Sequence, residues 1–335
     1  MQHLVAVTGA EGFIGSHLVE TLVRQGHPVR AMVQYNSFNS WGWLETLPPE
    51  VMAQVEVQLG DVRDPGSVNG LMKDAHTVYH LAALIAIPYS YQAPRSYIET
   101  NVNGTLNVLE AARQFQTPRV VHTSTSEVYG TAQSVPISEH HPVRPQSPYA
   151  ASKAAADHLV SSYVLSFGLP VVTLRPFNTY GPRQSARAVI SNIIAQLSAS
   201  QLPTGTSAVH LGDVTPTRDF TFVQDTAAAF VAVGSAGPEV IGRTLNAGSN
   251  REISVGGLVD LISEVMDRPA VVQTEDARLR PASSEVRRLV CDNTELCRLT
   301  GWQPLHSLRD GLTRTVEWFS HSANLRRYKT GLYNV

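Results

Sequence analysis

A tyrosine and a lysine four residues apart, Tyr149 and Lys153, follow the triplet Thr125-Ser126-Glu127 in this chain. On a helix, residues four apart point along one face. A lysine ammonium beside a phenol favours the phenolate. The pair therefore reads as a general base that takes a proton from a hydroxyl while hydride leaves for a nicotinamide, with the lysine also holding the nicotinamide ribose. A Tyr-x-x-x-Lys spacing alone is common by chance, and a surface tyrosine beside a solvated lysine is the bland reading. What strengthens the chemical reading is the context: a strand ending in Ser124-Thr125 precedes the pair, and a glycine-rich turn lies upstream.

That turn reads Gly9-x-x-Gly12-x-x-Gly15, directly after an apolar run and at the start of a helical pattern. The first two glycines allow a tight turn and close approach to a pyrophosphate. The third lets helix and strand pack closely, and the helix N-terminus faces the phosphate charge. A dinucleotide is thus the expected cofactor, with Phe13 and Ile14 at the start of the helix among its neighbours. Asp61, just past the third strand, is placed to accept from the adenine edge, or else caps a helix over 65–71, and Val62 follows it. Leu81, Ala82 and Ala83 end the fourth strand with a small surface suited to a nicotinamide ribose. Thr123 ends the fifth strand, and Asn101 lies on the helix between, where capping or packing is nearly as good a reading. NAD selectivity ordinarily needs an acid at the end of the second strand. Here the stretch is Val33-Gln34-Tyr35-Asn36-Ser37, with neither a carboxylate nor a basic residue. Asn36, Ser37 and Asn39 suit either form, so NAD and NADP stay unseparated at this point.

These residues need a scaffold, and the hydrophobic pattern supplies one. Short apolar runs at 3–7, 29–33, 55–59, 77–81, 119–123 and 171–174 alternate with helical patterns at 13–24, 95–114 and 148–167. Such alternation predicts a doubly wound α/β fold of the Rossmann type, a parallel sheet covered on both faces. Beyond Arg175 the rhythm weakens into loops rich in Pro, Gly, Thr and Arg. Further helices are expected at 186–198, 224–233, 255–266 and 305–319. No linker or repeat separates the halves. The expected division is a dinucleotide-binding domain over 1–175 and a smaller α/β substrate lobe over 176–335, partly interleaved.

The chain has 335 residues with 26 basic against 28 acidic side chains. This near balance gives no electrostatic case for nucleic acid or an anionic membrane as partner. No signal-like start and no long apolar run appear, so a cytoplasmic protein is expected. Cys291 and Cys297 fit neither a disulfide framework nor a zinc site. His80 reads as a packed core residue, and His140-His141 lack a third ligand, so no metal is expected.

At this stage the chain resembles the extended short-chain dehydrogenase/reductases that modify nucleotide sugars. The likeness spans nearly the whole chain. It includes the glycine turn, Gly60-Asp61-Val62-Arg63-Asp64, His80-Leu81-Ala82-Ala83, Ser124-Thr125-Ser126-Glu127-Val128-Tyr129-Gly130, Tyr149-Ala150-Ala151-Ser152-Lys153 and Arg175-Pro176-Phe177-Asn178-Thr179-Tyr180-Gly181-Pro182. It implies tightly bound, recycled NAD or NADP, a homodimer joined through two long helices, and a place in cell-surface polysaccharide biosynthesis. In the 4,6-dehydratases of this group, C4 oxidation makes the C5 proton acidic. The residue matching Glu127 then removes it, water leaves C6, and hydride returns there. The residue matching Thr125 bonds the C4 oxygen. Many dehydratases carry Asp at this position; this chain has Ser126 instead, as GDP-mannose 4,6-dehydratases do. Ser126 is too weak an acid to act alone, so it positions a water or Glu127 shuttles the proton. UDP-glucuronate decarboxylases share a similar Thr-Ser-Glu, and 4-epimerases normally lack the Glu. The stretch 35–45 and the ending 326–335 look like the legionaminic-acid type of dehydratase, acting on nucleotide-linked N-acetylglucosamine. A catalytically idle dinucleotide sensor is a further reading, disfavoured because Tyr149 and Lys153 are both present.

The nucleotide-sugar diphosphate needs donors. Asn178 matches a diphosphate-binding Asn of the family. Arg218 and Arg280 are the candidate guanidinium clamps, with Arg187 a weaker one. A surface ion pair of Arg218 with Asp219 or Asp213 is the competing reading.

Overall fold

The computed structural model describes residues 3–199, 206–275, 278 and 286–328. Its centre is a parallel sheet built from β1 (Val5–Thr8), β2 (Val29–Gln34), β3 (Val55–Gly60), β4 (Thr77–His80), β5 (Arg119–Thr123), β6 (Val171–Pro176) and a seventh strand, Thr244–Ala247. The spatial order is β3-β2-β1-β4-β5-β6 and then Thr244–Ala247. β1 pairs with β2 on one side (Val5 opposite Val29) and with β4 on the other (Val5 opposite Thr77), so the order reverses at β1. Such a switch point opens a crevice beyond the strand ends, where α/β sheets of this kind bind ligands. The expected doubly wound architecture is the one observed.

Both faces of the sheet are covered, which explains why its strands read as apolar runs rather than alternations. On one face α1 (Phe13–Arg24) and the helix Val223–Ser235 bury Leu18, Leu22, Phe230 and Val233. On the other, the helices Pro65–Met72, Gly104–Gln114 and Pro148–Phe167 bury Leu71, Val108, Leu109 and Val160. Arg119 fixes the second half of the chain to the first. Its guanidinium donates to the carbonyls of Val233, Ala236 and Gly237, meeting the unpaired carbonyls at the end of that helix. A separate core packs Ile193, Phe222, Leu258, Ile262, Leu312 and Phe319. Around it stand a three-stranded sheet (Glu252–Ser254, Thr217–Asp219, Arg288–Leu289) and a parallel pair, Ser207–Leu211 with Ala270–Thr274.

Several expected elements differ in detail. The single helix expected over 95–114 is three consecutive pieces: Pro94–Tyr97, a π-helical turn Ile98–Asn103, and Gly104–Gln114. A π turn inserts an extra residue, and such turns recur at functional sites. Here it carries Asn101. Helix 305–319 begins instead at Leu308, where the Ser307 hydroxyl caps the Asp310 N–H at 3.1 Å. Asp61 does not cap the helix Pro65–Met72. Asp64 does, accepting from Gly66 and Ser67.

Close packing of the helix Val223–Ser235 on β4 depends on Gly234. A Cβ there would lie 1.9 Å from the Tyr79 hydroxyl oxygen. Gly234→Ala is expected to destabilise the fold by about 1–3 kcal/mol through overpacking, read as a lowered denaturant midpoint. An unchanged midpoint would mean that this contact yields freely.

Candidate active site

The crevice begins at the glycine turn. Gly9 has φ +66°, and a Cβ on it would lie 2.8 Å from the Ala82 nitrogen. A Cβ on Gly15 would lie 2.1 Å from the Gly9 carbonyl oxygen. The turn thus needs glycine at both places, the first to approach the end of β4 and the second to seat α1 against the turn. At the head of α1, Gly12 is the N-cap, no side chain caps the helix, and its first turn holds no acid. The backbone N–H groups of Phe13 and Ile14 therefore head an uncapped helix, a ready anion site. This donor set fits the pyrophosphate of a dinucleotide. Ala82 is held against the turn because Thr8 Oγ1 accepts from both Leu81 and Ala82 N–H at 3.1 Å. Thr8 is in turn bonded to His80 Nδ1 at 2.9 Å, and His80 Nε2 meets Thr105 Oγ1 at 3.1 Å. His80 is thus the packed core residue expected, and burial pushes its pKa well below the ordinary range.

Asn101 joins the cofactor side to the catalytic helix. Its Oδ1 accepts from Leu84 N–H (2.8 Å), and its Nδ2 donates to the Leu84 carbonyl (3.0 Å) and to Ser152 Oγ (2.9 Å). Ser152 Oγ donates to the Tyr149 carbonyl at 2.7 Å. Asn101 is buried, so its work lies in packing the loop after Ala83 onto the helix Pro148–Phe167. Val62 is buried too, and would meet a Cβ on Gly104 at 2.9 Å. Thr123 carries a buried hydroxyl without a hydrogen-bond partner at the mouth end of β5. Asn36 is bonded within its own loop, accepting from Phe38 and Ser40 and donating to the carbonyls of Gln34 and Ser40. The Asp61 carboxylate forks with Arg63.

The candidate reacting groups converge near the end of β5. Thr125, in extended backbone, caps a short 3-10 turn Ser126–Tyr129, with its Oγ1 accepting from Glu127 N–H at 3.2 Å. The Thr125 hydroxyl lies within hydrogen-bonding reach of the Tyr149 phenol, and the Glu127 charge reaches the same phenol. Ser126 is buried, while Glu127 is half-buried. The helix carrying Tyr149 and Lys153 starts at Pro148, capped by the Ser147 hydroxyl on Ala150 N–H at 3.1 Å. Both side chains are buried. Burial pushes the phenol's pKa up, outweighing the Thr125 bond, and the nearby Glu127 carboxylate raises it further. The Tyr/Lys spacing predicts a lowered phenol, and here burial outweighs that effect. Burial lowers Lys153 to about 8, opposed by the charge of Asp157.

Asp157 is the group that sequence reasoning missed. It accepts from His122 Nε2 (3.2 Å), Ser124 Oγ (2.8 Å) and Arg175 Nη2 (2.7 Å), binding β5 and β6 to the catalytic helix. Burial alone would raise its pKa, but His122 and Arg175 hold it down at about 2. The signal was available, since Asp157 stands one turn beyond Lys153 on the same helix face.

The substrate candidates are more dispersed. Asn178 Nδ2 donates to the Asp219 carbonyl at 3.3 Å, and the Asn178 carbonyl accepts from Thr221 N–H. Arg218 lies on the strand Thr217–Asp219 and donates to the Thr217 carbonyl. Asp219 is buried and accepts from Ser249, Asn250 and Cys291 N–H, so its carboxylate serves the fold. The charge of Arg187 reaches Tyr97, whose ring stands edge-on to Tyr149 at 6.3 Å. Arg280 lies outside the described residues. Among the described residues no group of three or more His, Cys, Asp or Glu could hold a metal ion, and no helix is long and apolar enough to cross a membrane.

With this geometry in hand, the sequence matches the family model described as GDP-mannose 4,6 dehydratase over residues 6–315. The chain belongs to that family. Its members are NAD(P)-dependent enzymes. The chain is 36% identical over 321 residues to a UDP-glucose 4-epimerase of Mycolicibacterium smegmatis, spanning 95% of this chain and 98% of the relative. It is 32% identical over 337 residues to a dTDP-glucose 4,6-dehydratase of Xanthomonas campestris pv. campestris, spanning 93% and 92%. The solved structure of a dTDP-glucose 4,6-dehydratase double mutant from Streptomyces venezuelae, with NAD bound, superposes with a TM-score of 0.83. The two are 27% identical, and the superposition covers 96% of this chain and 98% of that one.

Asp157→Asn removes the charge that raises the Lys153 pKa. If loss of the Lys153 proton sets the alkaline limb of kcat/KM, that limb is expected to move to lower pH, with stability reduced by about 3 kcal/mol as Arg175 loses its buried partner. The native carboxylate stabilises above its ordinary pKa, and that contribution fades as pH falls toward 2. A variant with an unmoved alkaline limb would show that Asp157 does not govern Lys153.

Proposed function

We propose that this protein is a nucleotide-sugar 4,6-dehydratase. The observation that carries the reading is Glu127, set two residues from Thr125 and close enough for its charge to act on the Tyr149 phenol. Bound NAD(P) would supply a reversible hydride store, holding the hydride lost from C4 until it is returned to C6 with a proton taken up at C5, so no net redox change is expected. Tyr149, as the phenolate that the Lys153 ammonium stabilises, takes the proton of the C4 hydroxyl and becomes the neutral phenol. Thr125 donates to the C4 oxygen as a carbonyl forms there. That carbonyl acidifies the C5 proton, which Glu127 removes as the C6 hydroxyl departs as water. Buried Ser126 is too weak an acid to release it alone, so Glu127 is proposed to carry the proton to the leaving oxygen, directly or through a water held by Ser126. Asn178, Arg187, Arg218 and Arg280 are proposed to bind the nucleotide diphosphate.

The sugar is proposed to be N-acetylglucosamine, on the likeness of the 35–45 stretch to dehydratases of the legionaminic-acid type. A homodimer is proposed through the helix Pro148–Phe167 and the helical run 94–114, supported by the exposed Leu165 and Phe167 on the first and Ile98 in the π turn of the second. The second reading is a 4-epimerase, favoured by the 36% identity to a relative of that name. An epimerase needs no base for the C5 proton, and that difference separates the two.

Glu127→Gln is expected to reduce its bound cofactor when mixed with substrate, seen as near-ultraviolet absorbance. Water loss should then slow by about a thousandfold, the scale of a lost general base. Dehydration at the wild-type rate would contradict the role given to Glu127.

A further inference from the structure

The glycine turn holds an acid that the chemistry above does not use. Glu11 stands between Gly9 and Gly12, and its Oε1 accepts from the backbone N–H of Gln34 at 3.0 Å. Gln34 is the last residue of β2. The carboxylate therefore lies at the end of β2, where a dinucleotide fold holds the adenosine ribose and where NAD-selective chains carry a strand-end Asp or Glu. This chain has no acid in that segment of its own, since Gln34-Tyr35-Asn36-Ser37 follows Val33.

A second observation points the same way. Glu11 Oε2 is shut off from solvent and has no hydrogen-bond partner. A buried carboxylate oxygen in that state is costly and is met by donors when they are supplied. Burial accordingly raises the Glu11 pKa, against the pull of the Gln34 N–H. The acid is held in place by backbone from the loop after β2. Trp43 N–H donates to the Glu11 carbonyl at 3.0 Å. Gly42, at φ +59°, passes so close that a Cβ on it would lie 2.8 Å from that carbonyl oxygen. The Asn36 amide, bonded to the Gln34 and Ser40 carbonyls, keeps the loop folded over the acid. Meanwhile Arg63, at the end of β3, is engaged by Asp61, and Arg327 pairs with Glu45.

We infer that Glu11, reaching from the glycine turn, stands in for the missing strand-end acid: it accepts from the adenosine ribose hydroxyls and commits this chain to NAD over NADP. The terminal torsion of a glutamate is soft, so a small rotation presents Oε2 to a hydroxyl donor while Oε1 stays near Gln34. A 2′-phosphate at the same place would meet a like charge and would need a cation, and among the described residues Arg63 and Arg327 are already paired with Asp61 and Glu45. The inference rests on the family's use of NAD(P) and is independent of whether the sugar is dehydrated or epimerised.

The test uses the full chain without sugar. Cofactor released by denaturing the purified wild type is identified by chromatography, and NAD and NADP are then titrated calorimetrically into stripped protein. The expected results are release of NAD or NADH and at least about tenfold tighter binding of NAD. Glu11→Gln keeps an acceptor for Gln34 N–H but loses the charge, and should narrow that ratio by about tenfold or more. Release of NADP, equal binding by the wild type, or an unmoved ratio in Glu11→Gln would each overturn the inference. If Glu11→Gln gives no cooperative thermal transition, Glu11→Ala is titrated against the same expectations.

Discussion

The Asp157 carboxylate is the fixed point around which the catalytic half of this molecule is arranged. It is buried, and a buried charge persists only when paired and hydrogen-bonded. His122 and Ser124 reach it from β5 and its exit, and Arg175 reaches it from β6. Arg175 also lies over the Tyr129 ring at 4.8 Å, and the Tyr129 hydroxyl donates to Asn246 Oδ1 on the seventh strand. Three adjacent strands and the helix Pro148–Phe167 are thereby held in one register. Tyr149 and Lys153 are presented from that helix, and Thr125 and Glu127 from the turn after β5. A shift of any member would separate the phenol from the Thr125 hydroxyl.

The cofactor half is set by closeness rather than by charge. Gly9 allows the turn to touch Ala82, Thr8 fixes the backbone at Leu81 and Ala82, and Asn101 carries that constraint through Ser152 to the carbonyl of Tyr149. Hydride transfer needs its partners aligned within a narrow range, and this chain of contacts is what holds the two halves in step. The π turn at Ile98–Asn103 lets Asn101 face inward without breaking the helical run.

Much of this was legible in the sequence because it is local. Six strands and the long helices follow from apolar periodicity, and Gly9, Gly12, Gly15, Tyr149 and Lys153 from spacing. Long-range pairing hid the rest. Thr244–Ala247 is a four-residue strand among loops, and only its pairing with β6 makes it part of the sheet. Asp157, His122 and Arg175 are scattered in sequence, so their meeting follows from topology alone. Asp61 read as a possible helix cap, whereas Asp64, three residues on, makes that cap and Asp61 pairs with Arg63. The Tyr/Lys spacing predicted a lowered phenol, but burial dominates at Tyr149. Spacing reports which groups share a helix face and not how far both are removed from water.

The central claim is that a base at Glu127 turns a reversible C4 oxidation into loss of water. Mass spectrometry of the products from a panel of UDP-, GDP- and dTDP-linked hexoses, together with UDP-glucuronate, tests it most directly. The account predicts a product lighter than its nucleotide hexose by one water, with no net change in the cofactor. A product of unchanged mass but inverted C4, or loss of carbon dioxide from the glucuronate alone, would contradict it.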